Sequence, residues 1–102
     1  MLNSSLSMPV YIVDTLAFDT IILSESFIRN NKIPNAQHLS LCFGSFKQIV
    51  KVIPSPKRKG IQLHPRLVNL LGLPIRSEQL FHVRVHYDEI ENSKILFGRI
   101  KT

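Results

Sequence analysis

The sequence lacks the features that mark secreted and membrane proteins. Its single cysteine, Cys42, excludes an internal disulfide, as expected in a reducing compartment. No apolar run approaches the ~20 residues that a bilayer-spanning helix needs. The opening residues MLNSSLSM contain no basic segment, and Asp14 interrupts the apolar stretch that follows, so we expect no secretory signal. These absences favour a cytoplasmic protein that does not bind a membrane.

Recognisable catalytic motifs are lacking as well. Cys42 has no histidine at a spacing that would support a reactive thiolate, and the serines have no nucleophile-elbow context. Asp14 and Asp19 bracket the sequence TLAF, and a pair of carboxylates can perform acid–base chemistry, but aspartate is much more common as a turn residue. We therefore predict a non-enzymatic protein with no catalytic residue and no cofactor.

The four histidines do not form a pattern typical of a metal site. His82 and His86 are one turn apart if they lie on a helix, but about 13 Å apart if they lie on a strand. Their segment alternates between apolar and polar residues, which favours a strand. The apolar positions are Phe81, Val83, Val85 and Tyr87. We therefore expect a solvated stripe here and no bound metal.

The strongest positive signal is an internal repeat. Composition and length indicate one globular domain, since 44% of the 102 residues are hydrophobic and 20% are charged. The segment from Gly60 to Pro74 aligns without a gap on the segment from Thr20 to Pro34, forty residues earlier. Matching apolar pairs include Val10 with Val50, Ile21 with Ile61, Leu23 with Leu63, Phe27 with Leu67 and Ile28 with Val68. Because the match covers turn and apolar positions together, we interpret it as a duplication.

Each copy is predicted to form a β-β-α-β unit. The first unit covers about residues 9–45 and the second about 46–88, and a turn at 88–93 leads to a closing strand at about 94–101. The first eight residues are predicted to be a flexible N-terminus, and the rest a single domain. The predicted strands are 9–14, 19–23 and 38–43 in the first unit, and 48–54, 59–63 and 80–88 in the second.

Cap residues define the helix of each unit. Ser24 is a good N-cap in the first copy. In the second copy His64 replaces it, and Pro65 suits the first helical turn. Gly72 is expected to end the second helix in the left-handed conformation, and in the first copy we expect Asn31 to adopt that conformation.

These elements predict a mainly β protein with two short helices that forms a small closed barrel. Neither unit can bury both of its faces alone, so two units that interlock are the favoured arrangement. Closure also removes the exposed strand edges that invite aggregation. Whether the halves close on each other or swap with a second chain stays open at this point, as does the oligomeric state.

The sequence LHPRLVNLLGLP followed by LFHVRV resembles the cradle-loop barrel superfamily, which includes double-psi barrels and AbrB-type swapped-hairpin regulators. More narrowly, it is similar to the N-terminal barrel that precedes the ATP-grasp domain in the YheC/YheD family of endospore coat-associated proteins. Further motifs that carry this likeness are Phe43-Gly44-Ser45 and Leu96-Phe97-Gly98. The resemblance covers roughly residues 9–100. It implies a double-psi-like, cradle-loop barrel and an association with spores.

Residues that would bind a nucleotide or magnesium in an ATP-grasp domain are not found in this chain. ATP-grasp activity is therefore not carried over with the resemblance. The chain is expected to be either a stand-alone barrel or a fragment of a larger ATP-grasp protein. A further functional hypothesis is that it forms the binding half of a split ATP-grasp system.

Positive charge is concentrated in the second half of the chain, and the net charge is +6. The run Lys57, Arg58, Lys59 follows Pro54-Ser55-Pro56, and Arg66 comes soon after it. These four residues are candidates for binding an anion or nucleic acid through charge. The alternative interpretation is a solvated loop that keeps the barrel soluble.

Two functional hypotheses follow. The preferred one is a non-enzymatic binding or structural barrel that interacts with a protein partner, in the spore-coat context that the resemblance implies. The alternative is an AbrB-like nucleic-acid-binding regulator that uses the basic loop. Against this alternative, Arg66 is followed by Leu-Val-Asn-Leu-Leu, which lacks the additional arginines typical of such DNA binders.

Overall fold

The computed structural model describes residues 6–34, 36–75, 78–87 and 92–100. Its strands are β1 (Leu6–Ile12), β2 (Thr20–Ser24), β3 (His38–Phe43), β4 (Phe46–Ser55), β5 (Ile61–Leu63), β6 (Glu78–His86) and β7 (Lys94–Ile100), and its helices are α1 (Glu25–Asn30) and α2 (Pro65–Leu71). Over these ranges the strands close into a barrel in the order β1-β5-β2-β4-β3-β7-β6. The prediction of a mainly β closed barrel, built from two β-β-α-β units and a closing strand, is confirmed.

Alternating side chains fill the interior of the barrel. In β6 the inward residues Phe81, Val83 and Val85 are buried, while Arg84 and His86 are exposed. The predicted alternation of this strand is therefore confirmed. The same period of two places other aliphatic side chains inside. The largest fully buried side chains are Met8, Ile21, Leu23, Leu39, Leu41, Ile61, Leu63, Leu71, Phe81 and Ile95.

Strand register confirms the internal repeat. Leu39 faces Val50 across the antiparallel pair β3–β4, and Gln79 faces Val10 across β6–β1. Leu39 and Gln79 are forty residues apart in the sequence, as are Val10 and Val50, so the two ladders are equivalent. In β2–β5, Ile22 faces Gln62, which is its own repeat equivalent. A pseudo-two-fold axis therefore passes between β2 and β5.

The symmetry is incomplete in two places. In the parallel pair β1–β5, Val10 faces Ile61, so exact symmetry would place Ile21 opposite Val50 in β2–β4. Ile21 instead faces Val52, which is a shift of two residues. A shift of two keeps every side chain on its original face. The second departure is β7, which has no counterpart and lies between β3 and β6.

Both predicted N-caps are confirmed. The Ser24 hydroxyl accepts a hydrogen bond from the Phe27 amide at 3.3 Å at the start of α1. Before α2, the Nδ1 atom of His64 accepts from the Arg66 amide at 3.0 Å, and Pro65 is the first helical residue. His64 thus satisfies a helix-terminal N–H that would otherwise lack a partner.

The C-terminal caps confirm one prediction and correct another. Gly72 ends α2 in the left-handed conformation, with φ of 70°. In the first unit Asn31 has φ of −95° and is not left-handed, and the residue with positive φ is Lys32, at 50°. The side-chain amide of Asn31 donates to the Phe27 carbonyl at 2.9 Å, which holds it on the helix. The chain reverses at the same repeat position in both units.

The first strand begins earlier than predicted. Leu6–Met8 belong to β1, although the sequence placed them in a flexible N-terminus, because they pair with Phe81–Val83 of β6. Met8 is 1% exposed and belongs to the core. Residues 1–5 of the predicted flexible segment, and most of the turn predicted at 88–93, lie outside the described residues.

Candidate functional site

The predicted basic run lies in the loop between β4 and β5. Lys57, Arg58 and Lys59 are all exposed. The Arg58 amide donates to the Ser55 hydroxyl at 3.2 Å, which turns the chain after β4. Within the described ranges none of the three forms an ion pair. The loop therefore presents three cationic side chains to solvent.

Arg66, the fourth predicted residue, lies in a different environment. Its guanidinium carbon is 5.2 Å from the centroid of the Phe18 ring, a cation–π contact. Phe18 also meets the His64 ring edge-on, with 6.5 Å between the ring centroids. Arg66 is thus part of a small cluster with the β1–β2 loop.

The β1–β2 loop, which carries Phe18, and the β4–β5 loop, which carries the basic run, occupy equivalent positions in the repeat. Phe18 aligns with Arg58, and Arg66 aligns with Ser26. The basic run precedes β5, whereas His64 and Arg66 follow it, so they lie at opposite ends of that strand. The structure therefore keeps Lys57, Arg58 and Lys59 together and places Arg66 apart from them.

The outer face of β4 carries an unusual set of exposed side chains. Ile49 and Ile53 are 58% and 50% exposed, and Lys47 and Lys51 alternate with them. Phe46, 57% exposed, lies at the start of the strand, but it has the same parity as the buried Val50 and so belongs to the opposite face. We call Lys47, Ile49, Lys51 and Ile53 the β4 face. Ile22 of β2 pairs with Ile53 and extends its apolar surface.

Sequence reasoning missed the β4 face. The stretch Lys47–Ile53 has apolar residues at successive positions. This pattern predicts a strand buried on both faces as well as it predicts a strand with one exposed face. The signal that could have identified it is the spacing of Lys47, Ile49, Lys51 and Ile53 at every second residue. A lysine at every second outward position indicates a strand face that is open to water.

A groove of about 490 Å³ lies between the first half of β1 and helix α1. We call it the α1 groove. Leu6, Pro9 and Phe27 contribute apolar surface, and Ser26, Asn30 and Asn31 contribute polar groups. Lys59 is the only charged side chain among its described lining residues.

Gly60 joins the two sides of the α1 groove. The Ser24 amide at the start of α1 donates to the Gly60 carbonyl at 2.9 Å. A Cβ atom at Gly60 would lie 2.2 Å from the Pro9 carbonyl oxygen in β1, and the residue has φ of 84°. Only glycine allows this approach, which brings the basic loop to the α1 groove.

The second unit carries leucine at two positions where the α1 groove has asparagine. Helix α2 packs against β3 and β4, whereas α1 packs against β2 and β4. Leu71, the equivalent of Asn31, is fully buried, whereas Leu70, the equivalent of Asn30, is 45% exposed. The groove therefore follows from polar residues at positions that carry leucine in the other copy.

The environment of Cys42 does not favour reaction of its thiol. Cys42 is buried in β3, and burial raises the pKa of its thiol, while the nearby Lys94 and Lys47 ammonium groups act in the opposite direction. A thiol with a raised pKa is a poor nucleophile near neutral pH. Over the ranges that the structure describes, no three His, Cys, Asp or Glu side chains are close enough to hold a metal ion.

Comparison of the chain with models of known protein families, with curated proteins and with solved structures found no significant match. The resemblance to the YheC/YheD barrel stays a prediction from its motif residues. Within the described part of the chain, no helix is long and apolar enough to cross a membrane.

Proposed function

We propose that this chain is a non-enzymatic binding barrel, and that it holds a protein partner on the β4 face. The observation that carries the proposal is the exposure of Ile49 and Ile53 on the outer face of one strand, with Ile22 of β2 beside Ile53. Single exposed apolar residues are normal, but several on one continuous surface mark an interaction site. Covering each of them would contribute roughly 1–2 kcal/mol from apolar area.

The lysines of the β4 face indicate the chemistry of the partner. Lys47 and Lys51 lie about 13 Å apart along the strand. Neither forms an ion pair within the described residues. A partner surface with an apolar centre and carboxylates beside it would complement this face in both respects.

The alternative, a nucleic-acid-binding regulator, is supported by the exposed cations of Lys57–Lys59. Lys47 and Lys51 extend this positive charge along β4. Phosphate groups, however, offer nothing to bury Ile49 and Ile53 against. The apolar content of the β4 face is why we place the protein partner first. A spore-coat partner is a finer proposal, and it rests on the YheC/YheD resemblance.

The test compares proteins retained by immobilised chain from lysates of sporulating and vegetative source cells after nuclease treatment. The variant is I49S/I53S, and the matched control is L70S/L80S, which changes two exposed leucines outside the β4 face. We expect I49S/I53S to lose at least tenfold of a specific partner, and the control to keep it. Identical retention by all three proteins would contradict the proposal.

Two further measurements separate the other occupants of this face. Sedimentation of the purified chain tests for self-association, and a dimer that I49S/I53S abolishes would replace the partner with a second copy. A salt titration of nucleic-acid binding compares the chain with K57A/R58A/K59A. If these residues contact three phosphates, the log–log salt slope falls by about 3 in the variant, and that result would favour the alternative.

A further inference from the structure

We infer that the α1 groove is a second binding site, for a small amphipathic anion. Its ligand has an apolar body that lies on Leu6, Pro9 and Phe27, and one carboxylate, sulfonate or phosphate group that pairs with Lys59. The site is separate from the β4 face, and the inference does not depend on the proposed protein partner.

Size and lining indicate a small molecule. Small-molecule sites are concave, have volumes of about 300–1,000 Å³ and combine apolar walls with a few polar groups that orient the ligand. The α1 groove, at about 490 Å³, fits this description. Ser26 and Asn30 supply exposed hydroxyl and amide groups that can bond to polar atoms of the ligand.

Charge selects an anion. Lys59 is the only charged residue among the described lining residues, and the remaining cations of its loop, Lys57 and Arg58, lie next to it in the chain. The contact of Gly60 with Pro9 and its hydrogen bond with Ser24 hold Lys59 beside the groove. An anionic group of the ligand would therefore find a positive charge at a defined place.

The comparison between the repeats shows that the polar lining of the groove is specific to the first unit. The same duplicated module buries Leu67, Val68 and Leu71 in α2, whereas α1 has no fully buried residue. Leucine at the position of Asn31 would add the apolar side chain that α2 buries as Leu71. The first unit instead keeps polar residues there and leaves the groove open.

Fluorescence titration with anilinonaphthalene sulfonate tests the site, with the uncharged N-phenylnaphthylamine as the matched probe without the anionic group. We expect saturable binding of the sulfonate at one site per chain. K59Q should weaken the sulfonate about fivefold, as expected for one partly exposed charge pair, and leave the neutral probe within twofold. K57Q, in the same loop but outside the lining, should change neither probe.

A filled groove provides the decisive comparison. N30L/N31L copies the second unit and should reduce the affinity for both probes at least tenfold, with an unchanged circular dichroism spectrum. If this variant does not fold, S26F blocks the same space. I49S/I53S should bind both probes as the original chain does.

Three outcomes would overturn the inference. The first is the absence of saturable sulfonate binding. The second is an equal loss of affinity in K57Q and K59Q, which would assign the effect to general loop charge. The third is full binding by a folded N30L/N31L or S26F variant, or loss of binding in I49S/I53S, since either places the probe outside the groove.

Discussion

At the scale of single residues, the position in the repeat determines backbone conformation more strongly than the conformational preference of the residue type does. Asparagine tolerates the left-handed conformation better than lysine does. On that basis Asn31 was expected to adopt this conformation at the end of α1. The structure instead gives Lys32 a φ of 50°, at the repeat position where Gly72 ends α2 with 70°. Equivalent positions share a backbone conformation even where the side chain is unfavourable for it. The alignment of the two copies was thus a better guide than residue type.

This strain at Lys32 can be measured. K32G should raise the free energy of unfolding by about 0.5 kcal/mol, since relief of the left-handed strain exceeds the entropy that glycine adds to the unfolded chain. G72A should lower it by about 1 kcal/mol through conformation alone, because a Cβ at Gly72 meets no atom within 4 Å. Urea denaturation measures both changes.

K32A is the matched control for the lysine side chain. It removes the ammonium group but keeps Cβ, so it should not stabilise the protein as K32G does. Equal stabilisation by K32A and K32G would show that charge at residue 32, and not its backbone conformation, is the cause.

At the scale of elements, the two helices have diverged in how they pack. Helix α2 buries three residues, Leu67, Val68 and Leu71. Helix α1 buries none completely, and Phe27 and Ile28 are only half-buried. The apolar contacts that stabilise a short helix in water are therefore much weaker for α1.

We expect α1 to open more readily than α2. Its backbone amides should show protection free energies at least 1 kcal/mol lower in hydrogen exchange, because local opening of α1 exposes less apolar surface. Nuclear magnetic resonance of the exchanging amides provides the measurement. Equal protection of the two helices would mean that α1 is held by contacts other than its apolar face.

The boundaries of the strands show which parts of the fold can be predicted from the sequence. The predicted strand at 38–43 has the bounds of β3 (His38–Phe43), because apolar residues and a following Gly-Ser turn define it locally. The start of β1 was missed because Leu6–Met8 are ordered by a partner strand seventy-five residues away. A pattern within the segment does not contain that information.

The candidate sites depended on three-dimensional packing for the same reason. The exposure of Lys57–Lys59 could be predicted from composition, since charged residues after a Pro-Ser-Pro turn are rarely covered. The exposure of Ile49 and Ile53 could not, because it depends on which helix covers the sheet. The α1 groove had a visible signal in the alignment, where Asn30 and Asn31 replace Leu70 and Leu71.

At the scale of the whole molecule, the two units are interlocked. Among the described strands, β1, β2 and β3 make no pair with one another, and each pairs only with strands of the second half. Only β6 and β7 pair within one half. The prediction that neither unit can bury its faces alone thus has a direct structural basis.

A chain divided at the turn between β3 and β4 tests this dependence. Residues 1–45 and 46–102 should each lack a stable sheet when prepared alone, because isolated strands without partners are unstable in water. Mixing the two should restore the circular dichroism spectrum and the cooperative melting of the barrel. A first half that folds alone would contradict the interlocked arrangement.

The position of β7 has a consequence for synthesis in the cell. This strand follows every other strand in the sequence, yet it fills the space between β3 and β6. A growing chain therefore cannot complete its ring of backbone hydrogen bonds until β7 has left the ribosome, and Leu41 and Val83 beside the gap stay accessible until then. Closure of the barrel is thereby delayed until its last described strand has been synthesised, and the incomplete barrel depends on chaperones until then.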